Sequence, residues 1–377
     1  MKFIIGVLLC RSQAYPSLNM EFIKGLKMEL AFKGIAEQIK VITENIQFGT
    51  SETEITALGE KLLLEEDASI IIAFSDTKST LGLQELCAAS NKLLLVVNTG
   101  ADYPTLAENA TTTLIHSLNF AYHSFLSGKK AAEKTPISAS NSCAFFDSGF
   151  HQHIAMLNAF QKAGGQFGNH CVSQLDVDSI KISGLTDYLN STTDAKIILA
   201  SYHGVMAKRF IENIKPFIEN TKHLLFGAPL MLIESIVDGT SQTGLVNGYT
   251  PWIPTNDSEE NMGFAKIASE NGVHVSIFSL LGWETGLILS ILIQNPDLSK
   301  DIAGFLTALG NVTFGTPRGW FNYDKKSHCT YGPSYLVHQQ EKEIRVVNTT
   351  TETWENYLND SKIEGLSSQW KNTYLCY

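Results

Sequence analysis

Short runs of branched apolar residues alternate along the chain with longer stretches whose apolar positions recur every three to four residues. The first run, residues 3–9, predicts a buried strand, in keeping with its unbroken apolar character. A loop over 11–17 carries Ser and Pro, and a helix is expected over 18–32, with Phe22, Ile23, Leu26 and Leu30 on one face and Gly34 as its stop. The alternation continues with a strand at 38–43, a helix at 52–65, a strand at 69–74, a helix at 79–90 and a strand at 93–97 that ends in the loop 98–102. Strand and helix in strict alternation is the pattern of βαβ units around a parallel sheet.

The pattern then restarts. A strand at 142–146, a turn at 147–149 and a helix at 151–163 closed by Gly164-Gly165 repeat the opening strand, loop, helix and glycine. The displacement of roughly 130 residues is too long for a solenoid and points to duplicated lobes. Further strands are expected at 196–200, 223–226 and 245–249. A helix over 279–294 is apolar on most sides and so should be buried. Residues 316–324 and 334–339 read as strands in an antiparallel or edge arrangement, and the polar tail from Asn348 is expected to wrap a lobe surface. No low-complexity linker divides the chain, so two lobes require it to cross between them more than once.

Composition narrows the classes. The chain has 377 residues, 44% of them hydrophobic, which suffices for two cores. A net charge of -10 repels phosphate backbones, so nucleic acid is excluded as a partner. No stretch reaches the ~18 apolar residues of a membrane-spanning helix. The apolar start ending in Leu9-Cys10 superficially resembles a lipoprotein signal, but a small residue is expected where Leu9 stands; the run is read as a strand, and an export signal as lying outside this chain. Six cysteines form no C-x-x-C and no zinc spacing, and Cys10 and Cys143 read as buried small hydrophobes. No metal and no cofactor is expected.

Several stretches carry a resemblance over residues 2 to 345. They are the opening strand with its Ser-containing loop and helix, Ile70-Ile71-Ile72-Ala73-Phe74-Ser75 running to Ser79-Thr80, Val96-Val97-Asn98-Thr99-Gly100-Ala101, Ala144-Phe145-Phe146-Asp147-Ser148-Gly149-Phe150, Ile198-Leu199-Ala200-Ser201-Tyr202-His203, and Thr316-Pro317-Arg318-Gly319 followed by Asn322-Tyr323-Asp324 and His328. In order and spacing the chain resembles the branched-chain amino-acid and amide-binding branch of type I periplasmic binding proteins. The resemblance implies an α/β fold of two similar Rossmann-like lobes with parallel sheets flanked by helices, joined by a three-crossover hinge. One lobe would hold 1–118 and 249–324, the other 119–248 and 325–377. The ligand would sit between them, outside the carboxyl ends of the strands, where helix N-termini suit an anionic or carbonyl-bearing solute.

By that resemblance Ser79 and Thr80, with Ser75, Asp76 and Thr77 in the same loop, would bind a ligand carboxylate; simple N-capping is the alternative. By the resemblance Asn98, Thr99 and Gly100 stand at the second binding loop, a plain turn being the alternative, and Ser12, in the loop after the opening strand, is a further candidate. Phe150 and Tyr202 would present aromatic faces from the second lobe; both directly follow strand ends. Amino-acid-binding relatives commonly place an acid at the position of Pro229-Leu230, which is absent, leaving Asp147 or Glu284 to supply the charge. Arg318 reads as a solvated or structural arginine of a hairpin turn, and His151-x-His153 as a helix start in preference to a metal site.

No G-x-S-x-G, P-loop, H-E-x-x-H or dinucleotide loop is present. The resemblance therefore implies no enzyme but a monomeric solute-binding protein serving an ABC permease, periplasmic or extracellular. Its ligand would be a small polar solute: an amino acid, an amide or a related carboxylate. A sensory protein of the same fold that signals to a partner, cytoplasmic if a regulator, is the alternative; an enzyme on a flavodoxin-like scaffold ranks last.

Overall fold

In a computed structural model of the chain, the described residues are 3–134, 138–144, 149–173, 180–191, 196–219, 223–237, 245–295, 297, 300–338, 343–347, 349 and 351–361. The first five strands are β1 (Phe3–Leu9), β2 (Ile39–Asn45), β3 (Ile70–Phe74), β4 (Leu93–Asn98) and β5 (Thr113–Ser117). They pair in parallel in the order β5-β4-β3-β1-β2. β3 and β4 read Ile-Ile-Ile-Ala-Phe and Leu-Leu-Leu-Val-Val-Asn and are buried over nearly all their length, as strands covered on both faces must be.

The second sheet repeats the plan with β6 (Ser138–Ala144), β7 (Gln166–Ser173), β8 (Ile197–Ser201), β9 (Leu224–Gly227) and β10 (Val246–Thr250), in parallel order β10-β9-β8-β6-β7. Its open edge is closed by antiparallel β14 (Ser334–His338) and β15 (Glu343–Val347). The corresponding edge of the first sheet is closed by β11 (Phe314–Thr316), β12 (Gly319–Asp324) and β13 (Cys329–Tyr331), the last parallel to β5. The single strand expected over 316–324 is thus a hairpin that turns at Pro317-Arg318. Each sheet with its flanking helices forms one lobe.

The helices that matter for the site are α1 (Leu18–Phe32), α3 (Leu81–Ala89), α4 (Phe120–Lys134), α5 (Phe150–Lys162), α7 (Gly204–Glu219), α8 (Pro229–Val237), α9 (Glu259–Glu270), α10 (Ile277–Ile293) and α12 (Thr351–Ser361); the others are α2 (Glu52–Leu64), α6 (Ser183–Asn190) and α11 (Ile302–Leu309). α10 is buried on almost every side, as its composition required. It lies against α1 at a distance only glycine permits: a Cβ on Gly282 would come 2.1 Å from the Phe22 carbonyl oxygen, and one on Gly25 2.2 Å from that of Ser279. Gly34 and Gly164, expected as helix stops, adopt φ of +70° and +96°.

The chain leaves the first sheet after Ser117, returns after Thr250, and leaves again at Gly332-Pro333. This last passage lies beyond the expected division at 324, because Cys329–Tyr331 still pairs with the first sheet. The tail also differs from its expected place on the second lobe. Trp354 of α12 belongs to the hydrophobic core of the first lobe and stacks on Tyr331 with ring centroids 5.9 Å apart.

Candidate functional site

The carboxyl ends of the parallel strands of both sheets open toward one interlobe space. After β1, the loop through Ser12 turns so that the Tyr15 N–H donates to Ser12 Oγ at 2.8 Å. That turn sends the Tyr15 ring across to the second lobe. There it lies 5.7 Å from the His203 ring, and its hydroxyl donates to Glu234 Oε1. The other oxygen of Glu234 accepts from the Gly204 N–H at 2.8 Å, the first residue of α7. A second contact spans the lobes further along: His151 Nδ1, one residue into α5, lies 2.9 Å from Asp102 Oδ1, which follows β4.

Between these elements is a cavity of about 430 Å³, within the range of small-molecule sites. The first lobe lends Tyr15, Ser17, Glu21 and residues 274–278; the second lends the start of α7 with Lys208 and the face of α8 that holds Leu230, Met231, Ile233 and Glu234. Trp252, where the chain returns to the first lobe, is fully buried behind it. Aromatic and aliphatic surface dominates, with polar groups at the margins. Glu21 accepts from Ser276 Oγ at 2.5 Å and has His274 3.7 Å away. Burial pushes His203 down to about 3, so the imidazole facing Tyr15 is neutral at physiological pH.

The expected site residues divide into three groups. Thr77, Asn98, Thr99 and Gly100 do come together at the ends of β3 and β4, around a cleft of about 20 Å³ that also touches Asp76, Asp102 and, from α12, Trp354 and Tyr357. That is room for about one water. Gly100 has φ +69°, and its N–H donates to Asn98 Oδ1 at 2.9 Å, while Thr77 Oγ1 accepts from the Thr105 N–H at 2.8 Å. Ser79 and Thr80 sit in a short 3-10 turn ahead of α3. The Ser79 N–H and hydroxyl both go to the Asp76 carboxylate, at 2.7 and 2.9 Å, and the Thr80 hydroxyl donates to the Thr77 carbonyl at 2.8 Å. Their donors are spent inside the loop. Ser12 acts by turning the loop that aims Tyr15 and lines neither cavity.

Two expectations are corrected. Tyr202 is not a cleft aromatic. Its ring stacks on Phe210 of α7 at 4.5 Å, and its hydroxyl sits among Ser142 and Ser173 at 2.8 and 3.1 Å, with 1% of its surface exposed. Residues alternate sides at a strand end, and the one after Ser201 points into the lobe; His203, the next, faces the other lobe. Glu284 is not a ligand's counter-charge either. It lies wholly inside the first lobe, accepting from Arg318 Nε at 2.9 Å and 3.1 Å from His116 Nε2. Burial raises its carboxyl, but Arg318 and His116 more than offset this and hold it below its usual range. The arginine of the hairpin turn is therefore structural and buried. Asp147 lies outside the described residues, and so does the side chain of Phe150, whose backbone opens α5.

Sequence reading passed over Tyr15, His203 and Glu234. The acid sought at Pro229-Leu230 stands one helical turn later as Glu234, on the same helix face as Leu230 and therefore toward the same space. Reading α8 by face instead of by position would have found it.

Solved structures share this fold. A solute-binding protein of an ABC transporter from R. palustris in complex with benzoate superposes with a TM-score of 0.71 at 17% identity, covering 92% of this chain and 96% of that one. A substrate-binding protein from Sphaerobacter thermophilus gives 0.72 at 16% identity, covering 93% and 97%. A branched-chain amino-acid binding protein from Streptococcus pneumoniae in complex with isoleucine gives 0.65 at 12%, covering 93% and 100%. The fold is that of the type I periplasmic binding proteins. No family model and no curated protein matches the sequence. No described helix is long and apolar enough to cross a membrane.

Proposed function

We propose that this protein is a receptor that captures a small solute between its lobes for an ABC importer, outside the cytoplasm, and releases it unaltered. The observation that carries the reading is the cavity of about 430 Å³ with walls from both lobes. A ligand favours closure only through contacts made to both sides, and here Tyr15 and Phe278 oppose the α7 and α8 faces. The solute is one with an apolar, ring-sized body and a polar end. The mostly apolar wall supports this, as does Lys208 at the margin for a carboxylate. The solved neighbours hold benzoate, 4-hydroxybenzoate and isoleucine, molecules of that build.

Native mass spectrometry of freshly purified protein, followed by thermal-shift titration with aromatic acids and branched amino acids, tests the reading. Ligand at ~100 times its dissociation constant should raise stability by about 2.7 kcal/mol. Ala207→Phe, which fills the cavity from α7, should abolish that shift while the fold persists. Recovery of a chemically altered solute, or full binding by the filled variant, would overturn the proposal.

A further inference from the structure

On the first lobe, away from the interlobe space, a groove of about 350 Å³ lies between the end of α1, the start of α9, the middle of α10 and the β11–β12 turn. Its walls are aromatic. Phe32 and Trp283 have ring centroids 5.8 Å apart, Trp283 and Phe264 5.4 Å, and Phe32 is 63% exposed, a large apolar ring that the fold leaves in water. Its rim carries Glu259 and Glu260. Two oxygen atoms of the same lining are buried and have no hydrogen-bond partner among the described residues: Glu29 Oε2 and Thr316 Oγ1, on residues each 1% exposed. Among the described residues Glu29 is met only by Lys33, 3.6 Å from its other oxygen.

A buried carboxylate oxygen and a buried hydroxyl without partners are costly unless something supplies donors. Aromatic faces beside carboxylates attract one kind of donor, an organic cation, through the ring quadrupole together with charge. The apolar wall provides for a stem. We propose that this groove is a second binding site, for a primary ammonium carried on an apolar stem. The ammonium donates to Glu29 Oε2 and Thr316 Oγ1, the stem lies against Phe32 and Trp283, and Lys33 gives up its place on the carboxylate. Burial already pushes Glu29 up to about 7, which Lys33 only partly offsets, so a closer cation would favour its charged form.

The chain contains five tryptophans, of which Trp283 lies in this groove and Trp252 lines the interlobe cavity. Fluorine NMR of the full chain labelled with 5-fluorotryptophan, with Trp283 assigned by Trp283→Phe, therefore reads the two sites separately. The probes are phenethylammonium, its neutral counterpart phenethyl alcohol, and an end-blocked lysine. The expected result is a saturable shift of the Trp283 signal with an ammonium and none with the alcohol. Tighter binding by phenethylammonium assigns the site to free amines, and tighter binding by the blocked lysine to a protein side chain. Glu29→Gln should weaken binding roughly tenfold, and Lys33→Met, by removing the internal competitor, should tighten it roughly threefold. The remaining tryptophan signals report whether each variant is folded. Equal shifts with ammonium and alcohol, a response confined to Trp252, or unchanged affinity in both variants would overturn the assignment.

Discussion

The two lobes share a plan and are held together by different chemistry. In the first, β3 and β4 bury only aliphatic and aromatic side chains up to their last residue, and its buried ionisable groups, such as Arg318, Glu284 and His116, lie on other elements. In the second, strand β6, between β8 and the edge strand β7, reads Ser-Ala-Ser-Asn-Ser-Cys-Ala, and Ser140, Asn141 and Ser142 are buried. That strand is held by a polar network. Asn141 Nδ2 lies 3.1 Å from His153 Nε2, His153 Nδ1 3.1 Å from Ser201 Oγ, His170 Nδ1 2.8 Å from Asn141 Oδ1, and Ser142 meets Tyr202. Dry packing loses stability in proportion to the volume removed. A buried polar network fails when any member changes its protonation. One sheet order is thus compatible with two kinds of interior, and the second is the more exposed to solution conditions.

Acid should separate them most sharply. Burial pushes His153 to about 4 and His203 to about 3, both in the second lobe, and His123, at the crossing, to about 4. The unfolded chain binds these protons first, near 6.5, so stability is fully present above that pH and falls as pH drops toward 4. Together the three cost several kcal/mol, a large share of a total of roughly 5–15 kcal/mol. In the first lobe burial lowers His116 as well, though its contact with Glu284 offsets part of this, and Glu284, held below its ordinary 4.5, loses its contribution only at lower pH. Hydrogen exchange along a pH series should show β6 and α5 losing protection before β3 and β4; simultaneous loss would break the comparison.

Within the first lobe, Glu284→Gln leaves the Arg318 charge buried without its carboxylate and should cost about 3–5 kcal/mol by denaturant unfolding. Replacing both, Glu284→Leu with Arg318→Met, should recover much of that loss. In the second lobe, Tyr202→Phe removes one hydroxyl from between Ser142 and Ser173 without a cavity and should cost about 1–2 kcal/mol. Tyr202→Ala should lower the melting temperature of the unliganded protein markedly, where the loss of a cleft aromatic would leave it nearly unchanged. The smallest effect belongs to the contact between lobes. Tyr15→Phe deletes a bond that exists only while the lobes stand together, shifting the open–closed balance by about 1 kcal/mol. Small-angle scattering should show a larger radius of gyration without ligand and an unchanged melting temperature.

The same contrast decided what could be read from the sequence. Strands expected at 3–9, 69–74 and 93–97 stand at Phe3–Leu9, Ile70–Phe74 and Leu93–Asn98, since unbroken apolar runs announce a strand covered on both faces. In the second lobe the strand expected at 142–146 runs Ser138–Ala144, because serine and asparagine hide a buried strand from any hydrophobic pattern. β7, an edge strand with every second residue exposed, went unread for the same reason. At the site, the loops after β3 and β4 were legible from their place after strands. Whether a hydroxyl there is free or already bonded, as Ser79 is to Asp76, depends on side-chain geometry that spacing does not encode.

The glycine contact between α1 and α10 joins parts of the first lobe that are made far apart in time. During synthesis α1 emerges early, while the helix that covers Phe22 and Leu26 is complete only at Ile293. Between them the ribosome makes β6 to β10, the whole parallel part of the second sheet. The lobe at the start of the chain therefore finishes after most of the other has been made, with an apolar helix face waiting in between. A nascent chain arrested before α10 should show that delay as chaperone capture through α1, and one extended past residue 293 should be released.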